Sequence, residues 1–466
     1  MPTSTPPVLS AEAQKKTLAK ITRRLIPLLI IGYFISYVDR VNISFAKLGM
    51  EQSFEMTAAQ YGFAAGIFFA GYLLAEVPSN ILMVKFGARV WLSRIMITWG
   101  IVGTLMAFAP NVEVIYLLRF LLGVAEAGFF PGILLFLTRW YPNKERAKVV
   151  ATVMMAIPLA GLIGSPLNGW ILDTFEGVFG MESWRWVFII GGIPAILMGI
   201  VYFIMIADSP AKAKWLGVQE REWLEYTLKK EDAERTVGAP KGHLSALKNK
   251  KVIVLAAIYF LLQCGSYPLT YWMPSVIKDV TGDLSSTAIG WLNAIPFLFA
   301  AICMFLVGRL VKDEKSSRPV LIALIISTFA FGATALTLGN LPMMAFMAIT
   351  VATMAVQTSK PLFWNLPTSF LAGAGAASGI ALINSLGNTA GFFSPYAVGW
   401  IQDATGDSGM AVIVMIAAQG LAVVLIIGLV MSGKKQKAAQ LANGVQPTDD
   451  APLSDTEENN SVRTGA

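Results

Sequence analysis

Long apolar stretches without a charged residue constrain this chain more than any other feature of its sequence. Residues 319–359, 361–402 and 408–433 contain no Asp, Glu, Lys or Arg. A membrane-spanning helix needs about 20 consecutive apolar residues. Each of these runs is long enough to cross a bilayer, and the first two are long enough to cross it twice. The chain is therefore predicted to be an all-α integral membrane protein.

The composition excludes several other classes of protein. Charged residues make up 14% of the chain and hydrophobic residues 55%, whereas ordinary soluble domains are about 25% charged. A soluble enzyme and a nucleic-acid-binding protein are therefore not expected. Cys264 and Cys303 lie in apolar runs, and the single histidine, His243, lies in a charged stretch. No metal site or cofactor is expected from these residues.

Twelve candidate spans follow from the apolar runs and the turns between them. A Gly-Asn-Leu-Pro turn at 339–342 divides the longest run in two. The predicted spans are 25–46, 61–83, 92–110, 114–137, 149–172, 185–206, 252–273, 288–311, 319–338, 342–365, 376–401 and 409–432.

The distribution of basic residues predicts the orientation of these spans. Of the 36 Lys and Arg residues, 30 lie in the two tails and in the connections on the same side of the membrane. Because basic connections stay in the cytoplasm, both termini and the long central connection are expected to be cytoplasmic. The predicted regions are an N-terminal tail (1–20), a six-helix half (21–206), a linker (207–250), a second six-helix half (251–432) and a disordered C-terminal tail (433–466).

An internal repeat supports the division into two halves. The pattern Gly-Trp-Ile-x-Asp occurs at 169–173 and again at 399–403, which is an offset of 230 residues. This offset is close to half the chain length, and it places the fifth predicted span over the eleventh. Two related six-helix halves around a central cavity are a recurrent plan of secondary transporters.

Four charged residues lie deep inside predicted spans, where an unpaired charge is costly. They are Asp39 and Arg40 in the first span and Arg119 and Glu126 in the fourth. Their charges sum to zero, so they are expected to pair across the cavity. A static ion network is one interpretation. The other is proton coupling by Asp39, Glu126 and Arg119, because a carboxylate that faces a cavity can bind and release a proton. Glu76, near one end of the second span, is expected to cap or latch helix ends.

Polar and aromatic residues on other spans are candidates for binding a substrate together with Arg40. Most such residues in membrane proteins make interhelical hydrogen bonds, and the candidates are those expected to line the pore. They are Tyr37, Tyr72, Gln263, Trp364, Asn384 and Asn388. Gln263 also begins a polar stripe with Tyr267 and Tyr271. Lys360 is expected either to extend to the membrane surface or to contact a substrate carboxylate.

Two sequence blocks resemble a known family. The first span carries Tyr37-x-Asp39-Arg40-x-Asn42, and the fourth carries Arg119-x-x-x-Gly-x-x-Glu126-Ala-Gly-Phe-Phe-Pro-Gly. These blocks resemble the major facilitator superfamily and, within it, the anion:cation symporter family. The loop between the second and third spans departs from the superfamily signature, because Asn80 and Val84 replace its glycine and aspartate.

The resemblance implies roles for the candidate residues. It implies protonation sites at Asp39 and Glu126, and a link between substrate and Glu126 at Arg40. It also implies a substrate site lined by Tyr37, Tyr72, Trp364 and Asn384. Related bacterial permeases imply proton-driven uptake of a carboxylate across the inner membrane by alternating access.

The expected function is therefore proton symport of an organic anion, such as a sugar acid or a hydroxycarboxylate like tartrate. An aromatic carboxylate of the phthalate, hydroxyphenylacetate or nicotinate type is the alternative substrate, because Phe363, Trp364 and Tyr72 could stack on a ring. Antiport or export is less favoured. The expected partners are the substrate, protons and the lipid bilayer, with no nucleic acid, and the protein is expected to be monomeric and not an enzyme.

Overall fold

The structure is a computed structural model. The residues that it describes are 9–236, 250–282, 284–311, 317–370 and 375–442. Apart from short 3-10 turns, all regular secondary structure in these ranges is α-helical, and no β-strand occurs in them. The predicted all-α class is therefore confirmed. Parts of both predicted tails (1–8 and 443–466) and of the predicted linker (237–249, with His243) lie outside the described residues.

Sixteen helices are present in the described ranges. The first eight are α1 (Ala11–Phe54), α2 (Ala58–Phe86), α3 (Ala88–Leu105), α4 (Val112–Glu126), α5 (Phe129–Thr138), α6 (Asn143–Met154), α7 (Ala156–Thr174) and α8 (Ser183–Met205). The other eight are α9 (Val218–Thr236), α10 (Lys250–Thr281), α11 (Ser286–Leu310), α12 (Arg318–Thr337), α13 (Pro342–Phe370), α14 (Gly375–Asn388), α15 (Ala390–Thr405) and α16 (Ser408–Ala442).

Eleven helical segments in the described residues are long and apolar enough to cross a membrane. They correspond to eleven of the twelve predicted spans. The remaining predicted span, 376–401, is divided between α14 and α15 at Thr389, and each of these helices is shorter than a membrane-crossing helix. The sequence did not indicate this break, because the span is free of charge and has no proline at this position.

The predicted tails are partly helical. α1 begins at Ala11 and α16 ends at Ala442, so residues 11–20 and 433–442 belong to helices rather than to tails. The Ser10 hydroxyl accepts a hydrogen bond of 3.3 Å from a backbone N–H in the first turn of α1, which is the usual role of a helix-capping serine. The segment at the end of α16 is rich in Lys, Ala and Gln, which favour helix.

The chain divides into two compact units that differ from the predicted halves. Unit 1 comprises the described residues of Met1–Gly238, Thr270–Leu298 and Gly391–Asp407, and unit 2 comprises those of Ala239–Leu269, Phe299–Ala390 and Ser408–Ala466. The last part of α10 (270–281), the first part of α11 (286–298) and α15 apart from its first residue thus belong to unit 1. The reason lies in specific contacts inside unit 1.

Two aspartates make the most regular of these contacts. Asp173 Oδ1 accepts the backbone N–H of Ser286 at 2.9 Å, and its Oδ2 accepts that of the following residue at 2.7 Å. Asp403 does the same at the start of α2, where it accepts the N–H of Ala58 at 2.9 Å and that of the next residue at 2.8 Å. These are the two aspartates of the internal repeat. Each satisfies free N–H groups at a helix N-terminus, where negative charge is favoured.

A third aspartate caps α3 in the same way. Gly87, the residue before α3, has no side chain that could cap this helix. Asp208 Oδ1 instead accepts the N–H of Arg89 at 2.9 Å. Lys212 Nζ lies 2.9 Å from Asp208 Oδ2. Burial alone would raise the pKa of Asp208, but the hydrogen bonds from the Arg89 backbone and from Lys212, together with the positive charges of Lys212 and Arg139, hold this pKa below its ordinary value. Asp208 therefore joins the segment after α8 to the start of α3.

We expect Asp208→Ala to lower the free energy of unfolding by about 1 kcal/mol at neutral pH, the typical cost of losing a helix cap. Because the folded-state pKa of Asp208 is depressed, its contribution is present above the unfolded-state pKa and is lost as the pH falls through the folded-state pKa. Thermal unfolding of the purified protein between pH 7.5 and pH 3 measures this difference.

Glu222→Ala is the matched control, because Glu222 is exposed on α9 and should leave the melting temperature unchanged. The difference between wild type and Asp208→Ala should shrink toward zero at the acid end. A constant difference across the whole pH range would contradict the assignment of the cap to the Asp208 carboxylate.

Candidate functional site

A break in the fourth span places Glu126 at a helix end. α4 ends at Glu126, and Gly128 has a positive φ of 84° before α5 begins. Residues with a side chain rarely adopt this backbone conformation. The break leaves carbonyl groups without a helical partner, and the hydroxyl of Ser79 donates to the carbonyl of Ala127 at 2.6 Å. The sequence predicted one continuous span here, whereas the structure has two helices.

Glu126 is fully buried and forms an ion pair with Arg40. Arg40 Nε and Nη2 donate to Glu126 Oε1 at 2.9 and 2.6 Å, and the hydroxyl of Ser36 donates to the same oxygen at 2.7 Å. Glu126 Oε2 is buried and has no hydrogen-bond partner among the described residues. The Arg40 side chain keeps 17% of its surface exposed. The pair therefore has one closed, carboxylate side and one accessible, guanidinium side.

Three aromatic rings surround the Arg40 guanidinium. Its central carbon lies 5.2 Å from the ring centroid of Tyr37, 5.4 Å from that of Phe68 and 5.5 Å from that of Tyr72. Such distances are in the range of cation–π attraction. Tyr37 and Tyr72 were predicted substrate-site residues and do lie beside Arg40. Phe68 was missed, because one more phenylalanine in an apolar helix carries no distinguishing signal.

Close packing of α2 on α4 positions two of these rings. A Cβ atom at Gly71 would overlap the carbonyl oxygen of Phe120, and a Cβ atom at Gly123 would overlap that of Phe68. The two backbones are in contact at this crossing, as small residues allow in membrane helices. Phe68 and Tyr72 are thereby held at the level of Glu126.

Asp39 lies apart from this ion pair, in the packed interior of unit 1. It is 1% exposed, and the side-chain amide of Asn42 donates to its Oδ1 at 3.0 Å. Gly103 on α3 and Gly191 on α8 face the same oxygen, since a Cβ atom on either would lie 3.5 to 3.6 Å from it. Asp39 Oδ2 is buried without a hydrogen-bond partner among the described residues. Each of the two deep carboxylates thus has one free oxygen.

Arg119 does not form the ion pair that the sequence suggested. It is fully buried, and its Nε and Nη2 donate to the backbone carbonyls of Ala64 and Ala65 at 3.1 and 3.3 Å. No carboxylate of the described residues lies within 4.0 Å of it. The close approach of α2 brings these carbonyls to Arg119, and they accept from two of its three guanidinium nitrogens, while Nη1 is buried without a hydrogen-bond partner among the described residues.

The polar candidates of the second predicted half form a separate cluster in unit 2. Gln263 Nε2 and the Tyr267 hydroxyl donate to Asn388 Oδ1 at 3.4 and 3.2 Å, and Gln263 also donates to Tyr267 at 3.3 Å. Gln263 and Asn388, which were both predicted to bind substrate, therefore lie in direct contact. Tyr271, the third residue of the predicted stripe, belongs to unit 1, where its backbone carbonyl accepts the Tyr61 hydroxyl at 2.7 Å.

Trp364 lies in an aromatic cluster of unit 2. Its ring centroid is 4.9 Å from that of Tyr259 and 5.5 Å from that of Phe363. Asn384 lies one turn before Asn388 on α14 and is half-buried, as is Lys360 on α13. No group of three or more His, Cys, Asp or Glu residues suited to a metal occurs in the described part of the chain.

A family model described as "Major Facilitator Superfamily" matches residues 29–395. The chain belongs to the major facilitator superfamily. It is 43% identical over 406 residues to the "Putative tartrate transporter" of Agrobacterium vitis, a match that covers 86% of this chain and 88% of the relative. It is 38% identical over 422 residues to the "Quinolone resistance transporter" of Acinetobacter baumannii, covering 90% and 94% of the two chains.

The solved structures agree with this fold. The partially occluded inward-open conformation of the xylose transporter XylE from E. coli has a TM-score of 0.71 at 15% identity, covering 88% of this chain and 98% of that one. At this identity the likeness concerns the fold alone. The relatives are transporters and not enzymes, so the predicted superfamily and the predicted class of membrane transporter are confirmed.

This transporter also has a buried cation, Lys47, one residue beyond the first predicted span, 25–46. Lys47 lies on α1, two turns from Arg40, and is 3% exposed. Its Nζ donates to Ser275 at 2.9 Å, pairs with Glu51 at 3.0 Å and lies 4.2 Å from the ring centroid of Trp272. The seven-residue spacing between Arg40 and Lys47 puts both side chains on one face of α1. This spacing was the signal in the sequence that could have identified Lys47.

We expect Gly123→Ala to weaken both the fold and the site. The added methyl group has to push α2 away from α4, an overpacking that costs about 2 kcal/mol and moves Phe68 and Tyr72 from Arg40. Thermal unfolding of the purified transporter measures the effect on the fold, and binding of its transported substrate measures the effect on the site. Gly428→Ala is the control, because a Cβ atom at Gly428 meets no atom within 4 Å. Equal behaviour of the two variants would contradict the close contact.

Proposed function

We propose that this protein is a proton-coupled symporter that imports a hydroxycarboxylate of the tartrate or sugar-acid type across the bacterial inner membrane. The observation that carries the proposal is the Arg40–Glu126 ion pair, in which a partly exposed cation is held by a fully buried carboxylate. The 43% identity to a relative named for tartrate supports the substrate class.

Arg40 is suited to bind the carboxylate of a substrate. Its guanidinium can form two parallel hydrogen bonds to a carboxylate, and here two of its nitrogens already bind one oxygen of Glu126. A substrate carboxylate that approaches the exposed side therefore competes with Glu126 for the same donors. The hydroxyls of Tyr37 and Tyr72 lie on rings beside the guanidinium and supply hydrogen-bonding groups for substrate hydroxyls.

The free carboxylate oxygens are suited to accept protons. A proton on Glu126 Oε2 breaks no existing hydrogen bond, because this oxygen has no partner among the described residues. The same holds for Asp39 Oδ2. A neutral Glu126 attracts Arg40 less strongly, so protonation frees the guanidinium for the substrate. Proton and substrate thus bind together, and this is the condition for symport.

Charge balance gives the return step. An empty, deprotonated site keeps Arg40 paired with Glu126, and a loaded site replaces this pair by Arg40 with the substrate and a neutral Glu126. In both states neither Arg40 nor Glu126 carries an unpaired buried charge, which would be costly in the membrane, and Arg40 balances one carboxylate of the substrate. A state with substrate but no proton leaves two anions for one cation and is disfavoured. Asp39 and Arg119 are proposed to assist this exchange through their electrostatic interaction.

Two further features complete the proposal. The excess of Lys and Arg in the tails and in one set of connections supports cytoplasmic termini. The aromatic rings around Arg40 favour an aromatic carboxylate as the second candidate substrate. One relative is named as a quinolone resistance transporter, so the uptake assay also distinguishes import from export.

We expect cells that express the transporter to accumulate labelled tartrate and to lose this accumulation when a protonophore is added. Uptake should be fastest at mildly acidic external pH, because the proposed coupling groups are carboxylates. Labelled galactonate, phthalate and nicotinate in the same assay test the alternative substrates, with empty-vector cells as the control. Accumulation driven by a sodium gradient alone, or a lower cell content than in control cells, would contradict proton-coupled import.

Arg40 and Glu126 should have separable roles. We expect Arg40→Ala to abolish substrate binding, because the substrate charge then lacks its partner. Glu126→Gln should retain exchange of substrate between the two sides of a proteoliposome but lose accumulation driven by a pH gradient, since glutamine resembles the protonated acid and cannot release a proton. Counterflow and gradient-driven uptake of labelled tartrate distinguish the two variants.

Glu113→Gln is the matched control for the second variant, because Glu113 lies on the same helix, α4, but is exposed. It should behave like wild type in both assays. Full accumulation by Glu126→Gln would show that Glu126 is structural. Loss of counterflow in Glu126→Gln as well would show that its charge is needed for binding and not only for coupling.

A further inference from the structure

A cavity of about 540 Å³ lies between α1, the end of α8 and the segment before α9, all within unit 1. Its lining is divided by chemistry. Lys20, Arg23 and Arg24 are basic, and Leu28 and Met205 are apolar. Met205 is the last residue of a membrane-spanning helix, and Arg24 precedes the apolar part of another. The cavity therefore lies where the two helices pass from apolar to charged surroundings.

The basic side of this cavity is only partly neutralised. Lys20 Nζ binds Glu220 Oε2 at 2.9 Å. Arg24 lies 5.1 Å from the ring centroid of Trp215, and neither it nor Arg23 has a carboxylate within 4.0 Å among the described residues. Both arginines are exposed. Two accessible guanidinium groups on adjacent residues are a favourable setting for a phosphate group, which they can bind with several hydrogen bonds.

The apolar side continues beyond the cavity along the helices. Arg23, Pro27 and Ile31 follow one another at four-residue spacing and therefore share one face of α1. Pro27 is exposed, and Ile31 keeps 46% of its surface exposed. At the end of α8, Ile204 and Met205 are exposed as well. Positive charge thus lies directly above an outward-facing apolar strip.

We propose that this cavity binds the phosphate of an anionic phospholipid, with Arg23 and Arg24 as its ligands and one acyl chain along Pro27, Ile31 and Met205. In a phospholipid the anionic headgroup lies above the acyl chains, and on the protein surface the arginines likewise lie above the apolar strip. Basic pockets between membrane helices are known to bind such headgroups. Trp215 contributes an indole ring at the level where tryptophan favours the membrane interface. The inference does not depend on the proposed substrate.

The occupied site would connect three parts of unit 1. Lys20, Arg23 and Arg24 belong to α1, Met205 ends α8, and Trp215 precedes α9 and stacks on Trp140, with ring centroids 5.6 Å apart. The Lys20–Glu220 ion pair already joins α1 to α9. A bound lipid phosphate adds a charged partner for the two arginines that this ion pair leaves unmatched. The expected result is a more stable folded protein.

The test uses the full-length protein, purified in detergent and stripped of lipid. Its melting temperature is measured with added phosphatidylglycerol, phosphatidylcholine, glycerol 3-phosphate or inorganic phosphate. We expect phosphatidylglycerol to raise the melting temperature clearly more than the other three additions. Native mass spectrometry after the addition of phosphatidylglycerol should show this lipid bound to the wild-type protein. An equal shift with inorganic phosphate would assign the site to a free anion, and an equal shift with phosphatidylcholine would remove the anion requirement. Either outcome overturns the proposal.

Two double variants test where phosphatidylglycerol binds. The double variant Arg23→Gln with Arg24→Gln should lose the shift with phosphatidylglycerol, whatever its own starting melting temperature. Lys229→Gln with Lys230→Gln removes the same charge from exposed positions on α9 and should keep the shift. If the first double variant does not fold, Arg23→Gln alone is used, because Arg23 makes no hydrogen bond, ion pair or ring contact with the described residues. This single variant should weaken the shift in melting temperature caused by phosphatidylglycerol. An unchanged shift in the arginine variant would place the lipid elsewhere.

Discussion

The cost of a buried charge governs the arrangement of unit 1. Arg40, Glu126, Asp39 and Arg119 all lie where water is scarce, and an uncompensated charge there is expensive. Three different solutions are present. Arg40 and Glu126 form an ion pair, Asp39 accepts a side-chain amide, and Arg119 donates to backbone carbonyls. Of these three arrangements, only the first brings two oppositely charged side chains together. The local geometry of α2, α4 and α5 serves to place these partners.

The fold followed from the sequence because the bilayer imposes a simple rule. A backbone in hydrocarbon has to satisfy its own hydrogen bonds, so a long apolar run can only be a helix. The sequence did not reveal where such runs break. Glycine is common in this chain, with 41 residues, so Gly128 could not be distinguished from glycines inside continuous helices. The break at Thr389 likewise carries no charge or proline to mark it.

The site was predictable in so far as its residues are chemically unusual for a membrane helix. Arg40 and Glu126 stood out as charges, and their opposite signs suggested the pair. Phe68 did not stand out, since its role comes from the α2–α4 crossing and not from its chemistry. The partner of Arg119 was also hidden, because carbonyl groups of Ala64 and Ala65 have no signature in the sequence. Contacts between two unusual side chains are readable, whereas contacts with backbone are not.

The aspartates at 173 and 403 show how little sequence such a backbone contact requires. Asp403 binds two amides that belong to alanines, so nothing in the side chains of the receiving helix specifies the contact. Any residue other than proline can present an N–H group at these positions. The Asp403 contact is therefore encoded by a single aspartate and leaves the start of α2 free to vary during evolution, whereas at Asp173 the hydroxyl of Thr287 also donates to Oδ2 at 2.6 Å. A duplicated half can keep such a contact while the helices that receive it diverge.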